Sequence, residues 1–219
     1  MTTRSIALFG ATGLVGRECL KLLLDRPEFA RVLVAVRRDV PLDLSAAQRA
    51  KLELHVIDFD HLASHANLFA VDQILCALGT TIRNAGSQQA FRIVDFTYPE
   101  QIARLGVEHG ARHFLLVSAL GASPRSSVFY SRVKGEFEDA VLALPYRAHT
   151  IIRPSLLLGD RAEFRLGEKV AERLGFLTPR KYKPVHVRDV ARALVAAAAA
   201  DHPGVKVIES QEIERITAR

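Results

Sequence analysis

Short apolar and β-branched runs recur along the whole chain, and several of them are apolar at every position. A run that is apolar on both faces is typical of a strand covered from both sides, as in a parallel sheet. The pattern predicts seven strands, at residues 5–9, 32–36, 52–57, 72–78, 113–118, 149–153 and 205–209.

Segments with apolar residues at helical spacing lie between these runs, including 15–23, 88–109 and 129–144. Pro99 falls inside the second segment, and because proline cannot donate a backbone hydrogen bond within a helix, we predict a kink or a new helix start there. Strand and helix alternate throughout the chain. This alternation predicts an α/β fold, a doubly wound parallel sheet of the Rossmann type built from right-handed βαβ units.

The domain organisation is indicated by the composition of the 219 residues, which is similar along the chain and shows no linker, repeat or low-complexity segment. We expect one domain over residues 1–219, since the chain has enough apolar residues for one substantial core. The part from about residue 154 onward, with predicted loops at 159–165 and 175–184, is expected to shape the substrate side.

The charge balance is basic, with 30 Lys and Arg against 24 Asp and Glu and a net charge of +6. The basic residues are scattered, no run of five occurs and no nucleic-acid-binding signature is present, so we expect no nucleic-acid partner. The longest apolar run, Ala193–Ala200, is far shorter than the roughly 20 residues that a bilayer span needs. No membrane association is therefore expected.

The two cysteines bear on the cellular compartment. Cys19 and Cys76 lie far apart in apolar segments, which is typical of buried thiols in a reducing environment. The chain enters its first strand almost at once, without the charged region and cleavage site of a secretory signal. These features lead us to expect a cytoplasmic protein.

A glycine-rich loop, GATGLVG at residues 10–16, comes directly after the first strand and opens a helix. In such a loop Gly10 allows the sharp turn, Gly13 lets the backbone approach a pyrophosphate at the helix N-terminus, and Gly16 permits close packing of helix on strand. The order of strand, turn, helix and second strand is the context that dinucleotide binding requires. The same loop adds three residues to the predicted cofactor site, Thr12, Leu14 and Val15.

The end of the second strand bears on the choice of cofactor. An acidic residue there accepts hydrogen bonds from the adenosine ribose, whereas an arginine can clamp a 2′-phosphate. Arg37 and Arg38 occupy this place, so NADP(H) is favoured over NAD(H). If the strand ends later, Asp39 takes the acidic role instead, and either arginine can also be a solvated strand end.

The ends of the third and fourth strands supply further candidates. Asp58 and Phe59 fall where the adenine is expected, and Asp58 can accept from its exocyclic amine or be an ordinary turn residue. Gly79 allows the cofactor to approach the backbone, and Thr80 and Thr81 offer hydroxyls. The two threonines can equally cap the next helix.

A candidate catalytic set follows the fifth strand. Ser118 ends that strand at the ligand crevice, while Tyr130 and Lys134 lie four positions apart on the next helix, flanking its buried face. Tyrosine has an ordinary pKa of about 10, so a nearby lysine charge is needed to favour its phenolate near neutral pH. Ser118 would hold a substrate carbonyl, Tyr130 would transfer the proton, and Lys134 would also hold the nicotinamide ribose.

Several motifs together resemble a known family. GATGLVG, the Ser-Tyr-Lys set, IIRPSLLLG at 151–159 and VHVRDVARAL at 185–194 resemble the atypical short-chain dehydrogenase/reductase superfamily. CALGTT, RIVDFTY and FYSRVKGEFE are similar to its branch typified by the Tat-interacting-protein oxidoreductase and small bacterial relatives, which suggests a bacterial member. The resemblance spans residues 6–200 and implies an NADP-binding Rossmann fold. It also implies that Pro154 and later residues contact the nicotinamide end, and that Asp189 belongs to a structural helix.

Two function classes remain open from the sequence. The first is an NADP-dependent oxidoreductase that acts on the carbonyl or alcohol of an unidentified small molecule. The second is a non-catalytic NADP(H)-binding regulator or protein-interaction module, because relatives in this branch have such roles and the catalytic asparagine of better-studied reductases has no clear counterpart beyond Asn84. Related folds often pair through surface helices, which keeps a homodimer open.

Two histidine pairs have a spacing of four residues, which can place two metal ligands on one face of a helix. His61 and His65 have no cysteine or acidic third ligand in a recognisable pattern, and His109 and His113 are separated by a glycine before a strand. We therefore expect no metal site.

Overall fold

A computed structural model describes residues 3–159 and 182–217 of the chain. Its strands are β1 (Arg4–Phe9), β2 (Phe29–Val36), β3 (Leu52–Val56), β4 (Gln73–Cys76), β5 (His113–Val117), β6 (Ala148–Arg153), β7 (Leu157–Leu158), β8 (Val185–His186) and β9 (Gly204–Glu209). Seven of them form one parallel sheet in the order β3-β2-β1-β4-β5-β6-β9, and β7 pairs with β8 apart from it. The sheet contains all seven strands that the hydrophobic pattern predicts.

Helices connect the strands and cover both faces of the sheet. In the described part of the chain they are α1 (Leu14–Asp25), α2 (Ala46–Lys51), α3 (Ile82–Ala85), α4 (Gln88–Arg92), α5 (Tyr98–Glu108), α6 (Phe129–Leu142), α7 (Val187–Ala200) and α8 (Ser210–Thr217). Short 3-10 turns occupy Phe59–Ser64 and Ala66–Leu68. The predicted doubly wound α/β fold is confirmed.

The two faces of the sheet carry two separate hydrophobic clusters. Ile6 and Leu8 of β1 point toward α1 and α7, whereas Ala7 and Phe9 point toward α5 and α6, as the two-residue period of a strand requires. Phe9 is fully buried and stacks on Phe69 at a ring distance of 5.7 Å. Full burial of a side chain of this kind stabilises the fold by about 1.5–3 kcal/mol.

The predicted helix over residues 88–109 is interrupted before Pro99, as expected. α4 ends at Arg92, a π-helical turn spans Ile93–Thr97, and α5 begins at Tyr98 with Pro99 in its first turn. The helical backbone continues through the π-helical turn, where the Tyr98 amide donates to the carbonyl of Ile93, and Pro99 at the next position has no N–H to donate. The π-helical turn places Asp95 in the interior, where its side chain is 1% exposed.

A buried polar cluster lies at the opposite end of the sheet from the strand carboxyl termini. His113, 1% exposed, places Nδ1 3.0 Å from a carboxylate oxygen of Asp201 and Nε2 2.9 Å from the hydroxyl of Thr150. Asp201 ends α7 with a left-handed φ of 48° and also pairs with Arg147. These contacts tie the end of α7 to β5 and β6.

The last strand, β9, forms one edge of the sheet. Among the described residues β9 pairs only with β6, and Val205 on it is 60% exposed. Of the helices that the structure describes, none is both long enough and apolar enough to cross a bilayer. Most of the two predicted loops at 159–165 and 175–184 lies outside the described residues.

Candidate functional site

A cleft of about 1170 Å³ opens at the carboxyl ends of the central strands. In a doubly wound sheet this crevice is the place where ligands bind. Most of the predicted site residues line it, namely Gly10, Thr12, Gly13, Leu14, Val15, Arg37, Phe59, Gly79, Thr80, Thr81, Ser118, Tyr130, Lys134 and Pro154. The structure does not bring Gly16, Arg38 or Asp58 into the lining of the cleft.

The glycine loop has no room for side chains at its two ends. A Cβ on Gly10, whose φ is +90°, would lie 2.6 Å from the backbone of Ala77, and a Cβ on Gly16 would lie 2.1 Å from the carbonyl oxygen of Gly10. Gly16 therefore has the predicted packing role, away from the cleft. Gly13 is the N-cap residue of α1, and the first N–H groups of a helix have no acceptor within the helix. This cradle fits the pyrophosphate of a dinucleotide, which is anionic and approaches the backbone closely.

The end of β2 separates the two arginines. β2 ends at Val36 and Arg37 lines the cleft, whereas Arg38 is exposed outside it. Asp39 accepts a hydrogen bond from the neighbouring Val40 amide at 2.9 Å and does not line the cleft. Arg37 is thus the charged group of this strand end that can meet a ligand.

Aromatic side chains form the wall beside Arg37. Phe59 is buried, meets Phe9 edge to face and contacts the ring of Tyr98 at 5.7 Å. Tyr98 also lines the cleft, and its hydroxyl donates to the carboxylate of Asp60, which raises the pKa of Tyr98 to about 12. Sequence reasoning missed Tyr98, although it belongs to the RIVDFTY motif.

Asp58 has a local role at the start of a 3-10 turn. Its carboxylate accepts from the Asp60 amide at 3.0 Å and lies 2.9 Å from Nδ1 of His61. The Asp60 amide, followed by the hydrogen bond from His61, holds the pKa of Asp58 below its usual value. The carboxylate is thus engaged within the turn and Asp58 does not line the cleft, which fits the turn role that the sequence left as its alternative.

Ser118 follows β5 directly and is 3% exposed. Its amide donates to the carbonyl of Ile152 at 2.8 Å, which fixes the backbone between two strands. Within the described residues its hydroxyl has no hydrogen-bond partner. Leaving a buried hydroxyl unpaired costs about 1–3 kcal/mol, so a bound molecule that pairs with it would recover that energy.

Tyr130 and Lys134 lie in the first half of α6. Tyr130 is half-buried with its ring 5.6 Å from that of Phe91, while Lys134 is 4% exposed, its ammonium 2.7 Å from Asp95. The expectation that both residues flank the buried face is wrong for Lys134, because a buried carboxylate draws its ammonium inward. Burial opposes this charge, but Asp95 and then Tyr130 outweigh it and raise the pKa of Lys134.

Asp95 is the main residue of the cleft that sequence reasoning missed. Its second carboxylate oxygen accepts from the Thr80 amide at 2.8 Å. A Cβ on Gly79 would lie 3.4 Å from Asp95, so this glycine lets the loop after β4 lie close to the carboxylate. The available signal was an acidic residue inside the otherwise apolar stretch of a predicted helix.

Both threonines after β4 line the cleft, and one of them caps the next helix. Thr81 accepts from the Asn84 amide at 3.1 Å and so caps α3, and it also lines the cleft. Thr80 donates its amide to Asp95 and likewise lines the cleft. Asn84 is exposed and also lines the cleft.

The histidine pairs are separated by their contacts. His61 pairs with Asp58, His109 faces the carbonyl of Leu105 at 2.8 Å, and His113 is buried in the polar cluster. In the part of the chain described, no three His, Cys, Asp or Glu side chains come together as a metal-binding group.

A protein-family model described as NAD(P)H-binding matches residues 10–201. The chain belongs to this family. The match covers the glycine loop, the cleft and the helix α6, so the cofactor class that the cradle fits is the one the family binds. Asp189 lies in the first turn of α7 and pairs with Arg192 at 3.3 Å, which agrees with its expected structural role.

Two relatives of this chain support its assignment to the Tat-interacting-protein branch. Protein HTATIP2 of Rattus norvegicus is 36% identical over 174 residues, which cover 79% of this chain and 71% of the relative. The mitochondrial protein fmp52 of Aspergillus clavatus is 35% identical over 209 residues, covering 94% and 88%. These relatives come from a mammal and a fungus, so they bear on the branch and give no support to a bacterial source.

The names of the fungal relatives correct one expectation. The Fmp52 proteins of Aspergillus clavatus, Eremothecium gossypii, Candida albicans and Debaryomyces hansenii are all named as mitochondrial. The prediction of a cytoplasmic location is contradicted by these names. The two free, buried cysteines, Cys19 and Cys76, fit either compartment and do not distinguish the cytoplasm from the mitochondrion.

Solved structures show the same fold at low sequence identity. MoeE5 in complex with UDP-glucose and NAD superposes with a TM-score of 0.73 at 15% identity, covering 98% of this chain and 82% of that one. WbmG of Bordetella bronchiseptica in complex with NAD gives 0.69 at 12% identity, covering 95% and 73%. The likeness establishes the Rossmann architecture.

Proposed function

We propose that this protein is an NADP(H)-dependent oxidoreductase of the short-chain dehydrogenase/reductase type, which interconverts a carbonyl group and an alcohol on a small molecule. The observation that supports this most is the buried Ser118 hydroxyl, unpaired within the described residues, in the cleft that also holds the glycine loop, Tyr130 and Lys134. A buried donor without a partner is suited to a substrate oxygen.

The chemistry divides among three side chains. The hydroxyl of Ser118 donates a hydrogen bond to the substrate carbonyl oxygen and so holds that oxygen in place. Tyr130 gives its proton to that oxygen in the reducing direction and takes it back in the oxidising direction. The positive charge of Lys134 lowers the energy of the tyrosinate left after the transfer. When bound, NADP(H) supplies or accepts the hydride.

The preference for NADP(H) rests on Arg37. Its guanidinium lies at the wall of the cleft beside Phe59 and Tyr98, where the adenosine end is expected. A guanidinium pairs with a phosphate through two parallel hydrogen bonds, which the 2′-hydroxyl of NAD(H) cannot match. Gly10, Gly13 and the backbone of α1 would hold the pyrophosphate, and Pro154 would face the nicotinamide end.

The proposal is tested first by binding and then by turnover. Fluorescence titration of NADPH into the purified protein is expected to show saturable binding below about 1 mM, and its absence would remove the proposal. A panel of aldehydes and ketones is then assayed with the wild type and with Tyr130→Phe, which should lose at least about 100-fold in kcat.

Tyr146→Phe is the matched control for removal of a tyrosine hydroxyl. Tyr146 is buried outside the cleft and its hydroxyl donates to the carbonyl of Ala103 at 2.6 Å. This variant should lose stability and keep its turnover. Equal turnover in wild type and Tyr130→Phe would refute the catalytic assignment.

A non-catalytic NADP(H)-binding regulator is the second candidate function. The ion pair of Lys134 with Asp95 favours it, because a compensated charge supports a tyrosinate less than a free one. Under this alternative NADPH binds as before, and no carbonyl compound is turned over.

A further inference from the structure

Asp95 connects two parts of the cleft that are far apart in the sequence. One carboxylate oxygen lies 2.7 Å from the ammonium of Lys134 on α6, and the other accepts the Thr80 amide at 2.8 Å from the loop after β4. Both partners line the cleft, whereas Asp95 itself is 1% exposed. One side chain therefore fixes the position of a candidate catalytic group and of a cofactor-facing loop.

The energetics require the two charges to be considered together. Removing either member of a buried pair leaves an uncompensated charge in a medium of low dielectric constant, which is strongly destabilising. Replacing both with neutral groups of similar shape avoids that penalty. Among the described residues, the other titratable groups that act on Lys134 are Tyr130 on its own helix and Cys76 on β4, so few other groups there compensate its charge. Burial raises the pKa of Cys76 to about 12, so that thiol stays neutral at ordinary pH.

We propose that Asp95 is a positioning residue, which holds Lys134 as an ammonium ion beside Tyr130 with one carboxylate oxygen and the Thr80 loop against the cleft with the other. The inference rests on the proposed function for the meaning of Tyr130 and Lys134, and on contacts within the chain for the rest. Asp95 acts through these two partners and takes no part in the proton transfer.

The substitution Asp95→Asn separates the two contacts. The amide oxygen of asparagine can still accept from Thr80, but its NH₂ group then faces the ammonium of Lys134, and two donors cannot pair. Asp95→Ala removes both contacts. Asp139→Asn is the matched control, because Asp139 is an exposed carboxylate on the same helix as Lys134.

The first measurement is the titration of Lys134 by NMR of ¹³C- and ¹⁵N-labelled lysine, with its signal assigned by its loss in Lys134→Met. We expect Lys134 to remain protonated up to at least about pH 10 in the wild type and in Asp139→Asn. In Asp95→Asn it should deprotonate at a pH lower by at least one unit, which is a tenfold change in the proton affinity. An unchanged titration would overturn the proposal.

The second measurement follows the Thr80 amide by hydrogen exchange. Exchange should accelerate at least tenfold in Asp95→Ala and change less than threefold in Asp95→Asn. Equal acceleration in both variants would show that the loop depends on the charge of Asp95, against the proposed division of roles.

The third measurement keeps the test valid if a single variant folds poorly. The double variant Asp95→Asn/Lys134→Met should melt at a higher temperature than either single variant, because no buried charge is left unpaired. A double variant that melts at or below the weaker single variant would refute the pairing. None of these three measurements needs turnover. A wild-type protein that binds NADPH but reduces no carbonyl compound would refute the proposed catalytic function. The role of Asp95 would then still be decided by the NMR titration of Lys134.

Discussion

Acid should weaken the fold through a group far from the cleft. Burial lowers the pKa of His113 from its ordinary value of 6.5 to about 4, although Asp201 opposes the shift. The unfolded chain therefore binds a proton between these values when the folded chain does not. Since the folded pKa is the lower one, stability is complete above about pH 6.5 and falls as the pH is lowered toward 4.

The size of the effect follows from the two pKa values. Between pH 7.5 and pH 5 the free energy of unfolding should fall by about 2 kcal/mol because of His113 alone, at about 1.4 kcal/mol for each pKa unit. The measurement is urea unfolding at several pH values for the wild type and for His113→Gln, which cannot titrate. The gap between the two proteins should narrow by that amount as the pH falls.

His202→Gln is the control for this experiment. His202 is exposed and next to Asp201 in the chain, and it lies outside the buried cluster. Its variant should lose stability with acid in parallel with the wild type. If His113→Gln also runs parallel to the wild type over the whole range, then the buried histidine does not carry the acid sensitivity.

The remaining predictions concern the cleft and the helix behind it. Arg37→Ala should weaken NADPH binding at least about tenfold and leave NADH binding unchanged, with Arg38→Ala as a control that alters neither; equal losses for both cofactors would contradict the 2′-phosphate assignment. Ser118→Ala should abolish turnover. It should also raise the free energy of unfolding by about 1 kcal/mol, because it removes a buried hydroxyl that is unpaired within the described residues. A variant that is less stable than the wild type in urea would contradict this expectation. Gly135→Ala should lower the free energy of unfolding by about 2 kcal/mol or more, since its Cβ would lie 2.2 Å from the backbone of Ser123, and thermal melting will show whether the chain absorbs the clash.

The sheet was predictable because its central strands, β1, β4 and β5, are buried on both faces over most of their length. A run such as VLVAV at 32–36 is typical of a strand covered on both faces. A glycine-rich loop such as 10–16, between a strand of this kind and a helix, is typical of dinucleotide binding. Strand bounds moved by a few residues, as at β2, which begins at Phe29. Local pattern carries this information because the signal and the structure lie in the same stretch of chain.

The inner surface of the cleft was harder to predict because it depends on contacts between distant segments. The ion pair of Asp95 with Lys134 joins a π-helical turn to α6, and neither segment alone shows that its charged residue is buried. Asp58 was ambiguous for a related reason. A carboxylate at a strand end can face a ligand or cap the next turn, and His61 and the Asp60 amide decide between these outcomes.

The position of β9 at the edge of the sheet implies that this strand separates from the sheet before the central strands do. Within residues 3–159 and 182–217, β9 is hydrogen-bonded to a neighbouring strand on one side only, and part of its surface is in contact with water. Such outer strands open with a smaller free energy than central ones and exchange their amide hydrogens sooner. Most of the cleft lining comes from the ends of β1, β2, β4 and β5, none of which pairs with β9, so brief separation of the last strand would leave that part assembled.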